Sequence, residues 1–438
     1  MTTSLMTRVF GLRREDVGPA LVSALLFFLI LCGYYILRPI REEMGLAGGV
    51  RNLPQLYLIN LAVMLALAPV FGAVATRWSR RVFVPAVYLF FMTNMLAFFV
   101  LMRVMPDKGG IALGRVFYVW VSVYNMWAVS LFWAFMADGF GLQRSKRLFG
   151  VIAVGGSLGA VLGSFITTQL VSVIGVPYLI LVSAVLMAAA AWLIGYLGQG
   201  LGWAAAGDDE GPAGARQRGH FWSGFSELIR SPYLSAVGGY ILLFTITSTF
   251  LYFQQAEIVS QAAIERAART RIFGQMDLAT NILTFGTQIF LTGRLIRGWG
   301  VGRVLMFLPV LTVLGFAALG AWPILTVLVV FQVLRRASNY ALSRPARETL
   351  YTIVSRDQKY KVKSFIDTFV YRGGDAIGSL GFKALGPVFG VSGLAFATVP
   401  IALLWAFFGF YLGKKQNEMG GAAGRPAPQR RDHDPDTP

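Results

Sequence analysis

KRLFGVIAVGGSLGAVLGS, residues 146 to 164, and KVKSFIDTFVYRGGDAIGS, residues 361 to 379, line up without a gap. Lys146 falls on Lys361, Gly159 on Gly374, Gly163 on Gly378 and Ser164 on Ser379, each 215 positions apart in a chain of 438. Each copy runs into an apolar stretch long enough to cross the roughly 30 Å of bilayer hydrocarbon as an α-helix. Twelve such stretches recur, near residues 18–40, 53–75, 82–102, 114–137, 151–173, 177–198, 233–255, 275–293, 301–321, 323–343, 364–385 and 390–412. Six precede and six follow a polar connector, and an even repeat number leaves both copies in the same orientation. The expected fold is an all-α membrane protein: twelve transmembrane helices in two pseudo-symmetric six-helix bundles.

Composition agrees. The mean hydropathy is +0.61, with 56% hydrophobic and 14% charged residues, too little polar surface for a water-soluble fold. The net charge of +18 raises nucleic acid as a partner. The bases are spread along helix ends, however, and no recognisable nucleic-acid module accompanies them, so anionic lipid is the expected partner. One cysteine excludes an intrachain disulfide framework, and His220 and His433, both outside the spans, argue against a histidine metal site or a catalytic triad. No P-loop occurs, and Gly198 to Gly202 lacks the context of a dinucleotide fingerprint. No metal or cofactor is expected, and no enzyme. The first span is too long for a secretory signal, and Leu31 before Cys32 is wrong for a lipoprotein site.

Positive charge sets orientation. Arg77, Arg80 and Arg81, then Arg144, Lys146 and Arg147, then Arg297 and Arg303 mark cytoplasmic loops, while the turns between spans five and six and spans nine and ten carry no base. Both termini are then cytoplasmic, in a bacterial inner membrane. Arg38, Arg41, Arg266, Arg269 and Arg271 fall toward the outside against this bias, although Glu42, Glu43, Glu257 and Glu265 are nearby. The organisation expected is an N-terminal bundle over 1–198, a linker with an interfacial helix over 199–232, a C-terminal bundle over 233–415 and a disordered tail over 416–438.

Several residues could carry function. Gly155, Gly159 and Gly163, four apart, suit close helix packing. Arg372 and Asp375 sit near the middle of span eleven, three apart and able to pair, either as a structural lock or as a cavity-lining pair. Span one ends in YYILRPIREE, where Tyr34, Arg38 and Arg41 share a face and Arg38 can reach Glu42. If the helix continues past Pro39 the arginines point into a central cavity; if it stops, they are interfacial. Span ten carries Arg335, Arg336 and Asn339, followed by RPARETLY from Arg344 to Tyr351. Guanidinium forks suit phosphate or carboxylate, so a cavity reading implies an anionic substrate.

YYILRPIREE resembles the end of the first span in the ATP/ADP translocases, the nucleotide transporters of plastids and intracellular bacteria, with Arg41 and Glu42 as that motif's base–acid pair. Phe132, Trp133, Phe135 and Asp138 resemble the family's aromatic run ending in an acid on span four. Pro345, Arg347, Glu348, Tyr351, Lys359, Lys361, Lys363, Asp367, Arg372 and Gly374 fall in the family's order without a gap. The loop from Gly72 to Arg81 also resembles the Gly/Arg motif of the wider major facilitator superfamily, though Thr76 stands where an acid is usual. There are departures: Pro39 and Arg344 replace acids, Arg41 and Arg347 replace lysines, and Asp375 sits where a lysine is frequent.

The resemblance implies a major facilitator-like fold and secondary transport of an organic anion, a nucleotide, by alternating access; the chain is expected to act as a monomer. Arg38, Arg41, Arg347 and Arg372, with Tyr34 and Asn339, would hold the anion. Glu42, Asp138, Glu348, Asp367 and Asp375 would pair with these bases in the empty site. A generic exporter of another small molecule, or a non-transporting receptor or scaffold, are the alternatives.

Overall fold

The computed structural model describes residues 14–77, 80–104, 110–200, 221–263 and 265–423, and within these the side chains of several stretches and single positions, Asp138 among them, lie outside the described residues. Helices account for nearly all of it. In chain order they are α1 (Arg14–Leu46), α2 (Leu53–Arg77), α3 (Arg80–Val104), α4 (Gly110–Gly200), α5 (Phe221–Arg230) and α6 (Pro232–Ala262). They continue with α7 (Arg266–Thr287), α8 (Gly293–Ala321), α9 (Leu325–Ser338), α10 (Arg344–Thr349), α11 (Arg356–Phe365) and α12 (Tyr371–Ala423). Three π turns, at Gln288–Thr292, Asn339–Ser343 and Ile366–Val370, join neighbours in the second half. Among the described residues, eight helices are long and apolar enough to cross a membrane. Their outer faces carry large bare apolar side chains, such as Phe90, Trp192, Phe290 and Phe407, as a lipid-facing surface requires.

The repeat is built into the packing. Methyl groups added at Gly155, Gly159 and Gly163 of α4 would strike the carbonyls of Ala24, Phe28 and Cys32 of α1, so the two backbones lie in direct contact along two turns of helix. In the second copy, Gly374 and Gly378 of α12 press on Thr245 and Thr249 of α6. The first helix of each half thus lies along the glycines of that half's repeat.

Three apolar clusters divide the interior. One belongs to the first half, around Ile36, Tyr88, Phe132 and Leu179. One belongs to the second, around Tyr240, Leu305, Leu350 and Trp405. The third joins the halves, with Leu46, Leu53, Leu56 and Tyr118 packed on Phe250, Phe253, Phe273 and Phe316. It lies where α1 ends and α2 begins, so the halves are sealed together at that end.

Some expectations need correction. The helix of span eight starts before residue 275, at Arg266, and Arg266 and Arg269 in its first turn pair with Glu43, at 3.5 and 3.0 Å. The tail does not become irregular at residue 416, because α12 continues to Ala423; residues 424–438 lie outside the described residues, as do 201–220 of the linker. The amphipathic α5 docks on the second half: Phe225 meets Phe365 at 5.6 Å, and Gly224 leaves no room for a side chain against the Lys361 carbonyl.

Candidate functional site

A cavity of about 890 Å³ lies between the halves, near the upper end of the range for small-molecule sites. Helix α1 runs unbroken through Pro39 to Leu46, which turns Tyr34, Arg38, Arg41 and Glu42 into it. From the other half, α9, the π turn, α10 and the 3-10 turn Leu350–Ile353 after it supply a stripe with a residue every three or four positions, from Gln332 through Arg336, Tyr340, Arg344 and Arg347 to Tyr351. Glu348, Lys363, Asp367, Arg372 and Asp375 complete the wall. Every expected site residue with a described side chain therefore reaches one cavity.

Eight basic and four acidic side chains line it. Pairing neutralises some of the bases. Arg41 donates to Glu42 at 2.6 Å, to the Tyr118 carbonyl at 3.2 Å and to Ser122 at 3.0 Å, with its guanidinium 4.0 Å from the Tyr118 ring. Glu42 also accepts from the Tyr252 hydroxyl at 2.8 Å, which ties α1 to α6 of the opposite half. Lys363 meets Glu348 at 2.6 Å and Arg372 meets Asp375 at 3.5 Å. Asp375 accepts in addition from Thr249 at 3.2 Å.

One pairing and one burial differ from expectation. Arg38 bonds Asp277 of α7 and not Glu42, which Arg41 takes. Asp277, 3% exposed, accepts also from Arg336 at 2.7 Å, so one carboxylate clamps a base from each half. Arg372 is not buried as its depth in the span suggests: a third of its side chain is open to the cavity, while Asp375 is buried.

Among the described residues, Arg335, Arg344 and Arg347 form no ion pair. Arg335 is 4% exposed and donates to Ser248 at 2.8 Å, Thr247 at 3.2 Å, Thr312 at 3.3 Å and the Phe244 carbonyl at 3.5 Å, all neutral acceptors. The Arg335 and Arg347 guanidiniums lie 5.4 and 5.1 Å from the centroid of one ring, Phe244. Cation–π contact of this kind stabilises each weakly; it does not cancel the charge. The cavity therefore holds three guanidiniums outside any direct ion pair, with Asp367 of the same wall within electrostatic reach of Arg344 and Arg347.

Sequence reasoning singled out Arg347 of these three, and noted Arg335 and Arg344 without placing them in the site. It missed Asp277 altogether. The signal was present, since Asp277 is the one acid in the apolar stretch 275–293, and an intramembrane acid is by default a functional candidate. Tyr57, Tyr118 and Tyr252 gave no comparable signal.

No protein-family model matches the chain. It is a distant homologue of ADP,ATP carrier protein 1 of Chlamydia trachomatis serovar D, 22% identical over 92% of this chain and 89% of that protein. Solved transporters share the fold. A bacterial homologue of the human lysosomal transporter Spinster, in an inward-facing and unoccupied conformation, superposes with a TM-score of 0.56 at 14% identity, over 93% of this chain and 98% of that one. The nucleoside transporter NupG gives 0.58 at 15% identity, over 92% and 98%. A POT family transporter in complex with 5-aminolevulinic acid gives 0.63 at 10% identity, over 92% and 96%. The chain shares its fold with these solved transporters.

Proposed function

We propose that this protein is a secondary transporter of an organic anion, a nucleotide of the ATP/ADP type, working by alternating access. The observation that carries the reading is the wall of Arg335, Arg344 and Arg347, three cations outside any direct ion pair facing a cavity between two halves. Like charges gathered in a low-dielectric interior repel strongly, and a bound polyphosphate relieves that repulsion. Homology to a carrier named for ADP and ATP supports the nucleotide. The paired bases, Arg38, Arg41 and Arg372, give the site a second state: an entering anion competes with Asp277, Glu42 and Asp375 for them, so that binding and inter-half contacts are exchanged.

The architecture we infer has twelve spans in two six-helix units, with residues 199–232 as the connector. Support comes from the long helices. Leu148–Leu197 has 50 residues, about 75 Å of helix at 1.5 Å per residue, against roughly 30 Å of hydrocarbon. It must turn back, and Gly175, with φ of +79°, is where it does so. Gly300 and Gly390, at +74° and +61°, interrupt Arg266–Ala321 and Lys361–Gln416 in the same way. The stretch from α9 through α10 makes the remaining span. By the positive-inside bias both termini lie in the cytoplasm of a bacterium, the sealed end faces outward and the cavity faces inward, in a protein that acts as a monomer.

In a thermal-unfolding titration, ATP or ADP raises the melting temperature of the purified protein. Arg347→Ala reduces that shift, while Lys414→Ala, at an exposed position, leaves it unchanged. Proteoliposomes loaded with unlabelled nucleotide take up labelled nucleotide faster than empty ones. Stabilisation and uptake of a neutral or cationic compound in place of nucleotides would return the protein to the generic exporters. Cysteines at Val173 and Trp322 label from outside the cell; labelling only from the cytoplasm inverts the topology.

A further inference from the structure

Helix α6 reaches the seal between the halves with Phe250 and Phe253 and begins at the opposite end, at Pro232, so α5 just before it lies at the end away from the seal. Its two faces differ. Inward, a methyl group at Gly224 would stand 2.6 Å from the Lys361 carbonyl of α11, Leu228 packs over Gly238 of α6, and Glu227 accepts from Gln358 of α11 at 3.2 Å. Outward, Phe225 is 44% and Ile229 61% exposed, and Arg230 at the end of the helix is exposed as well. An amphipathic helix of ten residues with bare apolar side chains beside a base has the character of an element that lies in the membrane interface.

The outward face is not an isolated patch. The Phe225 ring stands 5.6 Å from Phe365 and Phe365 stacks on Phe369 at 5.5 Å, and beyond the exposed Phe369 the bare surface continues along α12 with Ile377 and Leu380. The lipid-facing surface of a crossing helix thus runs directly onto α5. Its edge is basic: besides Arg230, α11 has four bases against one acid, Asp357, in its sequence RDQKYKVKSF. Apolar surface continuous with the bilayer and bordered by positive charge is complementary to a phospholipid with an anionic headgroup.

We propose that α5 and α11 bind an anionic phospholipid, with an acyl chain along Phe225, Ile229 and Phe369 and the headgroup at Arg230 and the bases of α11, and that this lipid controls the cavity. The connection is short. Lys363, on the same α11, lines the cavity and meets Glu348 at 2.6 Å, and the chain runs on through the π turn with Asp367 to Arg372, both in the cavity wall. With Gly224 seated on α11, a lipid that holds α5 holds Lys363 as well. The lipid site is independent of what the cavity carries; its effect on anion binding rests on the anion-transport reading.

The test reconstitutes the full chain in nanodiscs of phosphatidylcholine, with and without phosphatidylglycerol, and follows amide hydrogen exchange together with the affinity for inorganic tripolyphosphate. Phosphatidylglycerol should slow exchange in α5 and α11 on the order of tenfold, leave the seam of Gly155 and Gly159 unchanged, and tighten tripolyphosphate binding severalfold. Arg230→Glu and the Phe225→Ser/Ile229→Ser double variant should each remove the slowing. Equal exchange in the two membranes overturns the site, as does slowing that survives both variants or spreads evenly over the whole chain. Slowing in α5 and α11 with unchanged tripolyphosphate affinity overturns the control of the cavity and keeps the lipid surface. If neither variant folds, the difference between the two membranes in the unmodified protein decides. Absence of tripolyphosphate binding in both membranes counts against the anion-transport reading, and the exchange data still decide the lipid site.

Discussion

The two copies of the repeated segment meet their partner helices differently. In the first half Gly155, Gly159 and Gly163 lie on the carbonyls of Ala24, Phe28 and Cys32, backbone against backbone. In the second half Gly374 and Gly378 lie on the side chains of Thr245 and Thr249. That extra width holds chemistry: Thr249 donates to Asp375, which meets Arg372, where the aligned positions of the first copy are Ala160 and Ser157. The partner helices show the reverse. Six residues beyond Cys32, α1 carries Arg38; six beyond Thr249, α6 carries Gln255, which accepts from Gln332 at 2.6 Å. Duplication kept the packing scheme in both halves and placed charge at non-equivalent positions, so the site is asymmetric although the scaffold repeats.

The strongest way to break this comparison is to add a methyl group to each seam. Gly163→Ala puts it against a main-chain carbonyl that cannot rotate away, and should cost about 3 kcal/mol or abolish folding. Gly378→Ala meets Thr249, whose side chain can give at the expense of its bond to Asp375, and should cost roughly half as much. Equal losses of melting temperature would mean the two seams are equivalent after all. Next, Asp277→Ala releases Arg38 and Arg336 together. It should destabilise the empty protein by about 3 kcal/mol and enlarge the stabilisation given by ATP, since two more guanidiniums become available; a smaller ATP effect would make Asp277 a direct ligand support instead.

Smaller effects sharpen the picture. Asp375→Ala should cost roughly 1 to 2 kcal/mol, less than a fully buried pair, because Arg372 keeps contact with the cavity's solvent. The Arg372→Ala/Asp375→Ala double variant should recover part of that loss of folded yield. At the bottom of the scale, Lys415→Ala removes a surface pair with Glu418 and should change stability by less than about 0.5 kcal/mol. A large effect there would place the end of α12 in a contact that the isolated chain does not display.

Much of this was legible in the chain itself. Twenty-residue apolar stretches, the repeat and its glycines need only local pattern, and the YYILRPIREE face follows from helical spacing once the helix is known to pass Pro39. The electrostatic partners were less legible. Arg38 has Glu42 one turn away, yet it bonds Asp277, 239 positions along the chain. Local spacing shows which acid a base can reach within its own helix; it says nothing of the acid that a facing helix delivers. Asp138 stands apart, its side chain lying outside the described residues.

In the twelve-span architecture proposed above, Gly175, Gly300 and Gly390, each at positive φ, turn the chain with a single residue, and this bears on how the protein is made. With so little chain between the helices on either side, neither helix of such a pair can be held on one side of the membrane while the next is synthesised. Each pair is expected to leave the ribosome-bound insertion channel as a preformed hairpin, and a reporter domain spliced in at Gly175 should stall the insertion of both arms, where one spliced into the 201–220 connector should stall neither.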